Sequence, residues 1–263
     1  MNLDATAGDT HETQLNELQE AFVDWNAKRL RTTRAKSRDR LLVSVNKFKG
    51  GHGGRQFRRF NGLSYEVMAP FFSDSEKEIE EAYGFHSHMH FLRMLSYDFK
   101  PWNFAEEMLD DVARNDTVTV IDYGCGLAHG SRWIAAALKA RGIGVSLALV
   151  DFPTIRKDFL IWLCDRDGID MKFHDAQVGG PVTDLPQAQT CIATEFFEHV
   201  RKPEKYFSAI DTALVPGGWL ITNVNDHREE FMHVSPDLQT LRNRIETAGY
   251  AAKDPARVLV KPV

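Results

Sequence analysis

Cysteine is scarce in this chain, and the three that occur, Cys125, Cys164 and Cys191, are widely spaced. They form no CxxC pair and no zinc-ligand spacing, which excludes a disulfide framework and leaves three reduced, buried thiols. Long apolar runs are missing as well; none approaches the roughly 20 residues that a membrane span needs. The opening "MNLDATAGDTHETQ" lacks both a basic start and an apolar stretch. The sequence therefore predicts no secretory signal, no membrane attachment and a cytoplasmic protein. It shows no internal repeat and no low-complexity tract. What remains is 263 residues, 43% hydrophobic and 26% charged, an ordinary globular composition sufficient for one large α/β core plus an extension.

Acids are nearly absent from one segment. Between Lys28 and Arg59 there are twelve Lys and Arg against the single acid Asp39, a net charge of +11, while the rest of the chain carries −16. A basic segment on an acidic body fits a polyanionic partner, an anionic substrate or docking onto the protein's own acidic surface. RNA ranks last, because base stacking favours interleaved aromatics and only Phe48, Phe57 and Phe60 stand there.

The first 100 residues read as helical. Leu15, Leu18, Phe22, Val23 and Trp25 recur near helical spacing over 12–31. An apolar-rich stretch, 41–48, runs into the glycine loop "KGGHGG". A helix starts at Ser73 or Ser75 in "FFSDSEKEIEEAYGF", another runs through "HSHMHFLRMLS", and Pro101 opens "PWNFAEEMLDDVAR". From Thr117 the pattern changes. Strands are predicted at 118–122, 146–151, 171–174, 191–194 and 219–224, with helices near 130–141, 153–166, 203–214 and 236–248 and a strand or hairpin after the last. Strands alternating with helices imply βαβ units, a mainly parallel sheet and right-handed crossovers.

At the end of the first strand stands "VTVIDYGCGLAHGSRW". Ligands of such sheets bind beyond the carboxyl ends of the strands, and Gly124 and Gly126 let a backbone approach one closely. The dinucleotide fingerprint GxGxxG fails, since position 129 is His, and no GxxxxGK[ST] occurs. The pattern that stands is Asp122, Gly124, Gly126, Ala128. An acid two residues before the glycines is unhelpful beside pyrophosphate and well placed to accept from an ammonium group.

This turn resembles the first motif of the class I S-adenosylmethionine-dependent methyltransferases, and the likeness continues in order. "LALVDFP" places Asp151 where that family holds the ribose hydroxyls, with Phe152 beside it for the adenine. "MKFHDAQ" places Asp175 and Ala176 at the adenine amino group. "CIATEFFEHVRKPEKYF" resembles the fourth-strand motif, and "ALVPGGWLITNV" the Pro-Gly-Gly turn entering the fifth strand. The family's third glycine is Ala128 here, a departure small enough for close packing. The resemblance implies S-adenosyl-L-methionine as cofactor and a Rossmann-like α/β fold: a seven-stranded, mainly parallel sheet in a methyltransferase domain, 102–263, with an N-terminal helical extension or lid, 1–101.

Methyl transfer needs a positioned nucleophile and, for many acceptors, a base. "EFFEHV" supplies Glu195, Glu198 and His199. Glu195 also belongs to the cofactor set, and His199 is the first choice as base because imidazole titrates near neutrality. The same Glu-x-x-Glu-His resembles the divalent-metal site of the small-RNA 3′-terminal 2′-O-methyltransferases, with His227 or His233 as the further His; the metal set would be Glu195, Glu198, His199 and His233. Glu-His after the fourth strand is equally common in methyltransferases of small metabolites. His86 and His90 share a helical face, and with Tyr65, Tyr83 and Trp102 they are candidate substrate contacts. The reading favoured is methyl transfer to an O or N atom of a small molecule, anionic or sugar-linked, in specialised metabolism. The alternatives are a metal-assisted RNA 2′-O-methyltransferase and a non-catalytic methyltransferase-like binding protein.

Overall fold

The structure, a computed structural model, describes residues 15–49, 91, 94–177, 179–226, 233–235, 237–254 and 258–263. The chain divides into two compact units, Met1–Gln56 and Phe57–Val263. The boundary at 101 read from the sequence falls inside the second.

In the first unit, α1 (Glu17–Arg29) opens on a capping box, Asn16 accepting from the Gln19 backbone while the Gln19 side chain accepts from Asn16. It packs on α2 (Arg34–Lys49). Asn26 donates to Ser37 at 3.1 Å, and Arg34 pairs with Asp24 and Glu20. The apolar stretch at 41–48 is thus part of a helix rather than a separate element.

The second unit carries the sheet. Its strands are β1 (Thr117–Tyr123), β2 (Gly144–Asp151), β3 (Asp170–Asp175), β4 (Ala188–Ala193), β5 (Leu214–Thr222), β6 (Ala251–Asp254) and β7 (Val258–Val260). They lie in the order β3-β2-β1-β4-β5-β7-β6. The first five are parallel, and β7 runs antiparallel to both β5 and β6. This is the seven-stranded, mainly parallel α/β architecture expected. Two apolar clusters fill it, one built on Val118, Val120, Leu147 and Leu149, the other on Ile121, Tyr123, Ala148 and Val150. Successive residues of β1 and β2 feed opposite clusters, as the strand period of two requires.

Among the described residues of this unit, helices include α3 (Ala105–Val112), α4 (His129–Ala140), α5 (Ile155–Arg166), α6 (Pro203–Ala213) and α7 (Gln239–Thr247). α3 starts four residues after Pro101, at Ala105, with Phe104 as its N-cap; Trp219 in β5 donates its indole N–H to Asp111 near the helix's end at 3.0 Å. β5 begins ahead of the Pro-Gly-Gly turn, and the register shift between Ala188 and Thr190 accommodates it. Strand order reverses at β1, between β2 and β4, which opens a crevice at the carboxyl ends where ligands of such sheets bind. No described helix is long and apolar enough to cross a membrane.

Candidate active site

The crevice is floored by the glycine turn. One residue before the end of β1 stands buried Asp122, whose carboxylate accepts from Ser131 Oγ at 2.6 Å. Burial is the main cause that raises its pKa from 3.8 to about 7, with Asp151 pushing the same way and the Ser131 bond opposing. The backbone then turns left-handed three times, at Gly124 (φ 74°), Gly126 (φ 56°) and Ala128 (φ 53°). Gly124 and Cys125 both donate to the Val150 carbonyl, at 2.8 and 3.2 Å, so the turn wraps over the end of β2.

Glycine is required at Gly124 by both conformation and space, and at Gly126 by its left-handed φ. A Cβ on Gly124 would lie 2.7 Å from the Phe196 ring, and one on Gly126 would lie 3.1 Å from Met94. Ala128 is informative. It occupies the N-cap of α4 in the left-handed region, so the family's glycine there matches a backbone need as well as a packing one, and alanine bears roughly 1–2 kcal/mol of strain.

Asp151 ends β2 and is the hub of the site. Its Oδ2 accepts from Gly126 N–H at 2.8 Å, and its Oδ1 accepts from Phe152 N–H at 2.7 Å and from Arg156 at 3.2 Å. Arg156 is at least as buried, its side chain being 9% exposed against 11% for Asp151. Its Nε donates to Thr154 Oγ1 at 3.3 Å, and its Nη1 lies 3.9 Å from Met94 Sδ. Met94 joins the turn from the other side, its carbonyl 3.1 Å from His129 Nε2. On β3, Asp175 stands in register with Asp151 and pairs with Lys157 at 2.5 Å. Ala176 N–H donates to the Asp151 carbonyl at 2.9 Å. The candidate cofactor residues from β1, β2 and β3 are therefore brought to one end of the sheet.

β4 supplies the other wall. Glu195 is left-handed (φ 49°). Two bonds hold it there: its N–H donates to Asn223 Oδ1 at 2.6 Å, and Asn223 Nδ2 donates to its Oε1 at 2.6 Å. Phe196 packs on Tyr123 and Tyr206 with centroids 4.8 and 5.6 Å apart. The 3₁₀ turn Phe197–His199 follows, burying Phe197 and Glu198. Ser235 donates its N–H to the Glu198 carbonyl at 3.0 Å and its Oγ to the Val200 carbonyl at 2.8 Å. This seats His233 beside His199, ring centroids 4.9 Å apart. One ligand atom from each of Glu198, His199 and His233 lies within 4.8 Å of the others, and the Glu198–His199 separation is 3.9 Å. A buried carboxylate and two imidazoles at this spacing suit a divalent metal. Glu195, placed in that set by sequence, stands outside this group; its carboxylate accepts from Asn223.

A Cβ on Gly130 would lie 2.6 Å from Trp102 and 3.2 Å from Ile192, and Trp102 stacks on Phe104 at 5.7 Å. His86, His90, Tyr65, Tyr83 and His227 lie outside the described residues. Cys125, Cys164 and Cys191 are free and buried.

Sequence reading missed Ser131, Arg156, Phe196 and Asn223. Arg156 left one signal. A cation in the first turn of a helix opposes the macrodipole unless an acid balances it, and Asp151 is that acid. Asn223 left none, because only the pairing of β4 with β5 brings it to Glu195.

Comparison with known protein families matches none of them, and no curated protein matches the chain. Among solved structures it is similar to a candidate class I S-adenosylmethionine-dependent methyltransferase of Listeria monocytogenes, at 15% identity over 94% of this chain and 86% of that one, TM-score 0.49. It is similar to magnesium protoporphyrin IX methyltransferase of Synechocystis PCC 6803 with bound S-adenosylmethionine (15%, 73% and 98%, TM-score 0.46). A third is an S-adenosylmethionine-dependent methyltransferase of Aquifex aeolicus (12%, 72% and 98%, TM-score 0.44).

Proposed function

We propose that this chain is a class I S-adenosylmethionine-dependent methyltransferase acting on an O or N atom of a small molecule. The observation that carries the reading is the Asp122–Gly124–Gly126–Asp151 cradle. It joins a buried acid suited to an ammonium group, a backbone that comes open only with glycine, and a carboxylate at the next strand's end. When bound, S-adenosylmethionine supplies a methyl group already activated on a sulfonium. The protein's work is then to hold, orient and exclude water. Asp122 takes the cationic amino-acid end. Asp151 and Phe152 take the ribose and the adenine face, with Asp175 and Ala176 at the adenine edge. His199, on the opposite wall, accepts the proton that an O–H or N–H acceptor loses as its lone pair takes the methyl carbon.

A thermal-shift panel tests this. S-adenosylmethionine and S-adenosylhomocysteine at about 100 Kd should each stabilise the protein by roughly 2.7 kcal/mol, while NAD and ATP should not. Equal shifts with NAD, or none with either adenosyl ligand, would refute the reading.

One observation favours a second reading, metal assistance: the convergence of Glu198, His199 and His233. A divalent ion there would act as a Lewis acid on the acceptor, and His199 would be a ligand rather than the base. Manganese titrated into chelator-stripped protein should bind one to one, and His233→Ala should abolish binding. Absence of binding to the wild type would leave His199 as the base.

A further inference from the structure

The lone pairs of Asp151 are counted by the contacts it makes. A carboxylate offers about four acceptor positions, two on each oxygen. Among the described residues, Oδ1 takes two donors, Phe152 N–H and Arg156, and Oδ2 takes one, Gly126 N–H. One position remains, on Oδ2. A vicinal diol donating both protons to this carboxylate would have to displace Arg156, a guanidinium 9% exposed and also held by Thr154. Removing that cation from its acid inside the crevice is unfavourable.

We infer that the ribose diol is read by a mixed pair: one hydroxyl donates to Asp151 Oδ2, and Arg156 donates to the oxygen of the other. The guanidinium has the capacity. Of its five N–H donors, the described contacts with Thr154, Asp151 and Met94 use three. Its plane is fixed by Thr154 at one end and Asp151 at the other, so its remaining N–H groups have a set direction, as a diol of fixed geometry requires. The Met94 sulfur takes a third N–H, on Nη1. Arg156 is in this account a cofactor-binding residue that selects for an intact diol. Neither the Asp nor the glycine pattern discloses it.

The assignment rests on the methyltransferase reading, and calorimetry with three probes separates the two. The probes are S-adenosylhomocysteine and its 2′-deoxy and 3′-deoxy analogues. With the wild type, both deoxy analogues should bind more weakly than the parent. Arg156→Leu should weaken S-adenosylhomocysteine by roughly 10- to 100-fold, and one deoxy analogue should then bind as well as the parent. Asp151→Asn should erase the penalty for the other hydroxyl. Arg156→Lys, which keeps the charge and folding but loses the planar fork, should show the same selective loss in smaller measure. If Arg156→Leu and Arg156→Lys weaken all three probes by one common factor, or leave all three unchanged, the Arg156 assignment is overturned while the methyltransferase reading stands. A wild type that binds none of the three overturns both.

Discussion

Asp122 carries the sharpest prediction at the scale of a single residue. Its pKa is raised in the fold from 3.8 to about 7, chiefly by burial, so between those values the native state holds a proton that the unfolded chain has released. Stability from this group is complete below about pH 4 and is lost as pH rises toward 7, roughly 4 kcal/mol at most. Asp122→Asn should flatten that part of the pH–stability curve, as measured by urea melts from pH 4 to pH 8. A ligand that brings an ammonium group to Asp122 must expel the proton, so S-adenosylhomocysteine affinity should rise across about pH 6–8. Calorimetry in two buffers of different ionisation enthalpy should detect the release. His199→Ala should lower turnover by about 10²–10⁴-fold in a labelled-methyl assay across an acceptor panel. S-adenosylhomocysteine affinity should hold; intact turnover would make His199 architectural.

Among the elements, the turn after β4 is where strain and site meet. Glu195 is held left-handed by the two Asn223 bonds, at a backbone cost of roughly 1–2 kcal/mol. Asn223→Ala should destabilise by about 1–3 kcal/mol, and Glu195→Gly should recover part of that, because glycine adopts the conformation without strain. Denaturant titration of the two single variants and the double variant checks the coupling; additive losses would deny it. The strands themselves were legible in sequence. β1, β2 and β3 lie within two residues of their expected bounds; in β1 the buried β-branched run Val118–Ile121 has few other places to go. β5 starts five residues before its expected position because Leu214 already pairs with Ala188, and a register shift passes over the Pro-Gly-Gly turn before pairing resumes at Thr190 and Trp219, which periodicity cannot signal. At the site, Asp122, Gly124 and Gly126 were singled out from the spacing around the turn, and Asp151 from the resemblance to the methyltransferase motifs. Arg156 and Asn223 were not, since their roles come from contacts across strands and turns.

For the whole molecule, charge is the open lever. The segment from Lys28 to Arg59 carries +11 against −16 elsewhere, and in its described part α2 begins with no acid in its first turn. A small-molecule methyltransferase should show little affinity for RNA at physiological salt. Fluorescence anisotropy with a single-stranded RNA 22-mer should give a Kd no tighter than the non-specific range of about 10⁻⁴–10⁻⁶ M. Submicromolar binding with a steep salt dependence would move the acceptor to RNA and, with Glu198, His199 and His233 already converging, favour the metal-assisted reaction.

The central claim is that the carboxyl end of β1 and β2 binds the adenosyl methyl donor, and it stands or falls on one titration. S-adenosylhomocysteine added to the wild-type protein in a calorimeter should bind one to one, and Asp151→Asn should weaken it by about 1–3 kcal/mol. No binding to the wild type, or wild-type affinity in Asp151→Asn, would contradict the account.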